Sequence, residues 1–239
     1  MKYIYGPVKS RRLGFSLGLS LTPHKACSFN CIYCQLGKTT LCTCERKEYI
    51  RIAEILEELK LWLDNNASEA LGLQYVTLSG PGEPTLNNRI SELITQIKKI
   101  TKVPLAVITN ASLLSDPAVR REIALADLIV PSLDAVTEKV FNKIDQPYPG
   151  IKIEEIINGL VKLRQEYRGK IWLEVMLVAG VNDDLRQIKK IKEIADKINP
   201  DKIQLNSPVR SSRELNLRAV SAPKLKKIQA LLGEKCEVI

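Results

Sequence analysis

Three cysteines fall within eight residues of the stretch KACSFNCIYCQLGK: Cys27, Cys31 and Cys34, spaced by three and then two residues. Thiolates gathered this closely serve as metal ligands or redox partners. Three of them on one loop can each hold an iron of a four-iron cube and leave the fourth iron open to a small molecule. A structural zinc site needs a fourth ligand, which Cys42 or Cys44 would supply. Three unliganded thiols are the remaining reading.

Composition bears on the choice. The chain of 239 residues holds six cysteines and a single histidine, His24, which reads as a loop or supporting residue beside the cysteine stretch. No run of eighteen apolar residues occurs, and the start MKYIYGPVKSRR lacks the apolar stretch of a signal peptide. A cytoplasmic protein with no membrane span is expected, in which cysteines are ligands or free thiols rather than disulfides. The net charge of +9 is uneven: residues 1–48 carry eight Lys/Arg against two Glu, and residues 209–239 carry seven against three. Basic ends suit an anionic partner, whether RNA, a nucleotide or an acidic protein, or else a solubilising surface.

The elements that must position the cysteines follow from periodicity. Six short, mostly β-branched runs, 16–21, 74–79, 104–109, 127–133, 171–178 and 202–206, read as strands covered on both faces. Between them lie helical patterns: Ile52, Ile55, Leu56, Leu59 and Leu63 share one stripe, and Ile90, Leu93, Ile94 and Ile97 another. Further helices are expected near 116–124, 151–167, 184–197 and 222–232. Strict alternation gives an α/β chain with parallel strands joined by right-handed crossovers. Six units are too few for a closed eight-stranded barrel, which leaves a partial barrel or an open sheet. One domain over 1–239 is expected, with a cysteine loop at about 23–44 and a short C-terminal segment at about 209–239. Either arrangement gathers chemistry at the C-terminal ends of the strands, where the cysteines sit.

The Cys27-x₃-Cys31-x₂-Cys34 spacing, with Tyr33 before the third cysteine, resembles the signature of the radical S-adenosylmethionine (SAM) superfamily. That resemblance implies a partial (β/α)₆ TIM-type barrel, a [4Fe–4S] cluster on the three cysteines, and SAM bound at the open iron. SGPGEPTL resembles the superfamily's glycine-rich segment, in which Gly80 and Gly82 let the backbone approach SAM and Glu83 lies alongside. Asn110 in TNAS is similar to a contact with the SAM ribose or carboxylate. Ser132 and Asp134 in PSLDA belong to the barrel mouth or cap the next helix. Glu174 and, after strand six, Asn206 and Arg210 fall where the superfamily holds ribose and adenine or forms the rim. SRRLG, YCQLGKTT, ERKEYI and QLNSPVR resemble a small stand-alone group related to the tRNA wyosine synthases. No cysteine precedes Cys27, where those synthases carry a second-cluster set.

The chemistry so implied is one-electron cleavage of SAM to a 5′-deoxyadenosyl radical that abstracts hydrogen from an RNA or nucleotide-like substrate. The electron donor would be a ferredoxin or flavodoxin. An activase that installs a glycyl radical in a partner enzyme is the second reading, and a zinc-stabilised nucleic-acid-binding protein the third. Cys42, Cys44 and Cys236 read as reduced thiols rather than a second cluster. Arg11 and Arg12 fit either barrel face, depending on whether the N-terminal segment wraps upward.

Overall fold

The computed structural model describes every residue except His24 and Ser211. The six expected strands are present as β2 (Gly14–Ser20), β5 (Tyr75–Ser79), β6 (Leu105–Thr109), β7 (Leu128–Pro131), β8 (Lys170–Met176) and β9 (Lys202–Asn206), each paired in parallel with the next. Two further strands widen the sheet to eight. β1 (Ile4–Ser10) pairs antiparallel with β2, and β10 (Cys236–Val238) pairs in parallel with β9. The all-parallel expectation is thus corrected at one edge. The sequence of β1 obscures it: Pro7 cannot donate to a ladder, and the register shifts between Tyr5 and Val8, so the period-two signal is broken. A two-stranded parallel ladder, β3 (Ala26–Cys27) with β4 (Leu41–Cys42), folds the cysteine loop back on itself.

The crossovers carry α1 (Ile52–Asn65), the short α2 (Ala67–Ala70), α3 (Ile90–Ile100), α4 (Pro117–Ile123), α5 (Glu138–Ile144), α6 (Ile153–Glu166), α7 (Leu185–Ile198) and α8 (Ala222–Leu232). Their starts are chemically marked. Asp116 accepts from the Ala118 amide with Pro117 at the first helical position, and Asp184 accepts from the Arg186 and Gln187 amides.

Side-chain alternation divides the sheet into two faces. Leu17, Leu19, Val76, Leu78, Val107, Ile129, Leu173, Val175, Ile203 and Leu205 point outward and pack with Ile55, Leu93, Ile94, Leu160 and Ile191 of the helices. The inner face is apolar only at its lower end, where Leu13 packs with Ala106, Leu128 and Val130 beside Tyr75, Ile108 and Trp172. Higher up, the inward positions are Ser20, Ser79, Glu174 and Asn206, with Met176 the apolar exception beside Asn206. The barrel is therefore plugged below and polar at its mouth.

Candidate functional site

The cysteine loop leaves the C-terminal end of β2 and crosses the mouth. Cys27, Cys31 and Cys34 are free thiols, half-buried and close enough for the charge of one to act on the next. Burial pushes the Cys27 thiol up to about 12, reinforced by the nearby Glu83 charge, and pushes Cys31 well above its ordinary value, reinforced by Asp145. Such thiols stay protonated until a cation joins them. Among the described residues, no three Cys, His, Asp or Glu side chains converge on one point, as a single ion would require. Thiolates that each take a different iron of a cube need not converge, so this donor set fits a cluster.

Several side chains fix the loop. Asn110 Nδ2 lies 2.9 Å from Ser28 Oγ and 3.5 Å from Cys27 Sγ, while its Oδ1 accepts from the Ser112 amide. The Cys31 thiol points at Asp145 Oδ1, 3.6 Å away. The Tyr33 hydroxyl donates to Asp134, whose other oxygen accepts from the Met176 amide at 2.7 Å. Burial raises the Asp134 carboxyl to about 7 and holds Tyr33 well above its usual range. Two contacts arrive from the far end of the chain. The Arg213 amide donates to Cys34 O at 3.0 Å and the Glu214 amide to Ile32 O at 3.1 Å. The Arg213 guanidinium donates to Asn30 O and Gln146 Oε1, both at 2.8 Å.

The glycine-rich segment after β5 serves packing first. Gly80 adopts φ +110°, a conformation that L side chains rarely take. A Cβ on Gly82 would stand 1.8 Å from Ala26 O, so the missing side chain lets the cysteine loop pack closely here. Glu83 is buried and fully engaged. Oε1 accepts from the Thr85 amide at 3.1 Å, the Thr85 hydroxyl at 2.6 Å and the Thr109 hydroxyl at 2.7 Å, and Oε2 accepts from the Asn110 amide at 2.7 Å. Burial still raises its carboxyl above the ordinary value.

A cavity of about 600 Å³ opens over the mouth, lined among others by Tyr33, Cys34, Gly80, Pro81, Met176 and Asn206. Tyr33, Cys34, Gly80, Asn206 and Arg210, five of the expected residues, thus face one space. Asn110, Ser132 and Asp134 face a second hollow of about 10 Å³ shared with Tyr33, room for one water at most. Glu174 stands behind the large cavity. Its Oε1 accepts from Arg12 at 2.6 Å and from Asn206 Nδ2 at 3.0 Å. Arg11 reaches Asn206 Oδ1 at 3.1 Å, and Arg12 O accepts from Gln204 Nε2 at 3.0 Å. The β1–β2 turn therefore spans the open side of the barrel, placing both arginines in the site. Only the tertiary position of β1 could have settled this, and its pattern is the weakest in the chain.

Of the other expected residues, His24 lies outside the described residues. Cys42 is exposed beside Cys27 in the β3–β4 ladder, Cys44 is half-buried, and Cys236 is buried in β10 on the outer, helix-covered face. The fold does not bring these three together. Asp145 and Arg213 were missed; neither lies in a motif, and both act through long-range contacts.

Residues 21–191 match the family model of the radical SAM superfamily. A UPF0026 protein of Methanocaldococcus jannaschii is 32% identical over 98% of this chain and 72% of its own length. A Brachyspira hyodysenteriae protein named GTPase Obg is 39% identical over 99% of this chain, which spans only 34% of that relative. Among solved structures, TYW1 with a lysine–pyruvate adduct bound aligns with a TM-score of 0.66 and 23% identity, over 91% of this chain and 72% of that one. No helix among the described residues is long and apolar enough to cross a membrane.

Proposed function

The chain belongs to the radical SAM superfamily, and from that premise we propose that it cleaves SAM reductively and abstracts hydrogen from an anionic substrate held in the large cavity. The superfamily's cofactors are a [4Fe–4S] cluster and SAM; when bound, the reduced cluster and SAM supply a 5′-deoxyadenosyl radical as the hydrogen-abstracting species. In this reading Cys27, Cys31 and Cys34 hold the cluster, with Asn110, Asp145 and Arg213 fixing the loop that carries them. Tyr33, Gly80 and Asn206 line the space for SAM, while Gly82, Glu83, Ser132, Asp134 and Glu174 set the wall behind it. An electron donor such as a ferredoxin or flavodoxin supplies the electron. The basic segments at 1–48 and 209–239 favour an anionic substrate.

The observation that carries this reading is the meeting of Cys34, Gly80 and Asn206 on one cavity, although they come from three separate strand ends. The protein's part in cofactor chemistry of this kind is to keep each group in place. The test is anaerobic reconstitution. We expect about four irons per chain and release of 5′-deoxyadenosine on addition of dithionite, with both lost in Cys31→Ala. Stoichiometric zinc without SAM cleavage overturns the reading.

A further inference from the structure

The large cavity is lined on one side by Lys9, Arg11, Arg12 and Arg210, and no Asp or Glu is among its described lining residues. Arg12 is paired with Glu174 from behind. Arg11 is steered by Asn206 Oδ1 and by the main-chain oxygen of Ile239, at 3.1 and 3.2 Å. Among the described residues, Lys9, Arg11 and Arg210 have no carboxylate side chain as partner. Both basic ends of the sequence thus deliver cations to one space, Lys9 and Arg210 without a carboxylate side chain as partner, and their fields add there. Beside them Val8 and Leu36 line the same cavity although they are 43% and 59% exposed. Cys34 stands on the same lining, so whatever the cations hold lies within the space the cluster ligand faces.

A wall that pairs cations with apolar side chains recognises a molecule carrying both kinds of group. The cavity of about 600 Å³, within the roughly 300–1,000 Å³ of small-molecule sites, holds SAM as well in this reading, which leaves space for a small substrate only. We propose that the substrate is a low-molecular-weight organic anion, its carboxylate or phosphate held by Lys9, Arg11 and Arg210 and its apolar part by Val8 and Leu36. This assignment rests on the radical SAM reading of the same cavity.

The test uses the reconstituted, SAM-saturated protein and isothermal titration with phenyl phosphate, phenylacetate and benzyl alcohol. At least one anion binds and benzyl alcohol does not; the stronger anion identifies the group recognised. Lys9→Gln and Arg210→Gln each weaken that binding by roughly three- to tenfold, while the SAM dissociation constant of the same variants stays within about twofold, a spread of roughly 0.4 kcal/mol. Equal binding of benzyl alcohol, or no effect of the variants, overturns the proposal. So does a parallel loss of SAM affinity, which would assign the cations to the SAM carboxylate. Binding of a single-stranded RNA dodecamer but of neither anion also overturns it, in favour of a polyanion. A protein that takes up no iron on reconstitution and cleaves no SAM, yet binds the anion through Lys9 and Arg210, would keep the site and remove the radical reading.

Discussion

Arg12 and Glu174 are 162 residues apart in sequence and meet at 2.6 Å inside the barrel. The pair joins the β1–β2 turn to β8 across the side that six parallel strands leave open. Glu174 is almost fully buried while the Arg12 side chain is one-third exposed, so losing the arginine strands a charge that water cannot reach.

Arg12→Met is therefore expected to destabilise the protein by about 2–4 kcal/mol, somewhat less than a wholly buried pair because Arg12 keeps some water. The double variant Arg12→Met/Glu174→Met should lose less than either single variant alone. Urea denaturation of the three proteins decides it. Additive losses would mean that the two side chains act independently.

Gly82→Ala is expected to damage folding and iron uptake together. Its Cβ would stand 1.8 Å from the Ala26 carbonyl, one residue before Cys27, and that contact is with backbone that cannot step aside. A loss of about 2–4 kcal/mol is in the range for overpacking of this severity. Thermal unfolding and iron counting check it. A stable variant with full iron and weakened SAM binding would restore the expectation that Gly82 makes room for the ligand.

The buried Asp134 carboxyl gives the cluster-free protein a pH dependence. Its folded value of about 7 lies above the unfolded value near 3.8, so the folded state holds the extra proton between them. This contribution to stability is fully present below pH 3.8 and is lost as pH rises through 7, by up to about 1.4 kcal/mol per pH unit. Urea unfolding at pH 5.5 and pH 8 should show wild type losing more stability on the alkaline side than Asp134→Asn. Identical profiles would show that Asp134 does not titrate in this range.

Thiol labelling should separate Cys42, Cys44 and Cys236. Cys42 is exposed and Cys44 half-buried, whereas Cys236 is buried and its thiol is pushed up to about 12 by burial. Iodoacetamide at pH 8 is expected to modify Cys42 and Cys44 in the native protein well before Cys236, with all of them reacting in urea. Peptide mass spectrometry reads the order. Early labelling of Cys236 would mean that β10 frays from the sheet.

The barrel strands and their helices were legible because burial on both faces leaves short β-branched runs, and helices such as α3 keep a single apolar stripe at Ile90, Leu93, Ile94 and Ile97. The cysteine spacing was legible because it is local. The β1 edge was not, since an exposed strand containing Pro7 with a register shift carries no alternation. The same holds for Arg11, Arg12, Asp145 and Arg213. Their roles depend on which distant residue the fold brings within hydrogen-bond reach, and no spacing in the sequence encodes that. Glu83 shows the converse. Its place in a glycine-rich motif suggested ligand contact, yet four protein donors already occupy its oxygens.

The bonds from Arg213 and Glu214 to Cys34, Ile32 and Asn30 also set an order of events during synthesis. Arg213 and Asn30 are separated by 183 residues, so the cysteine loop emerges from the ribosome long before its last anchors exist. Closing so long a loop is slow relative to local helix and hairpin formation. A nascent chain arrested before residue 213 would hold the loop by Asn110, Asp134 and Asp145 but would lack its last anchors at Asn30, Ile32 and Cys34. The final fixing of the cysteine loop therefore waits for the last strand–helix unit, although the loop's residues are among the first made.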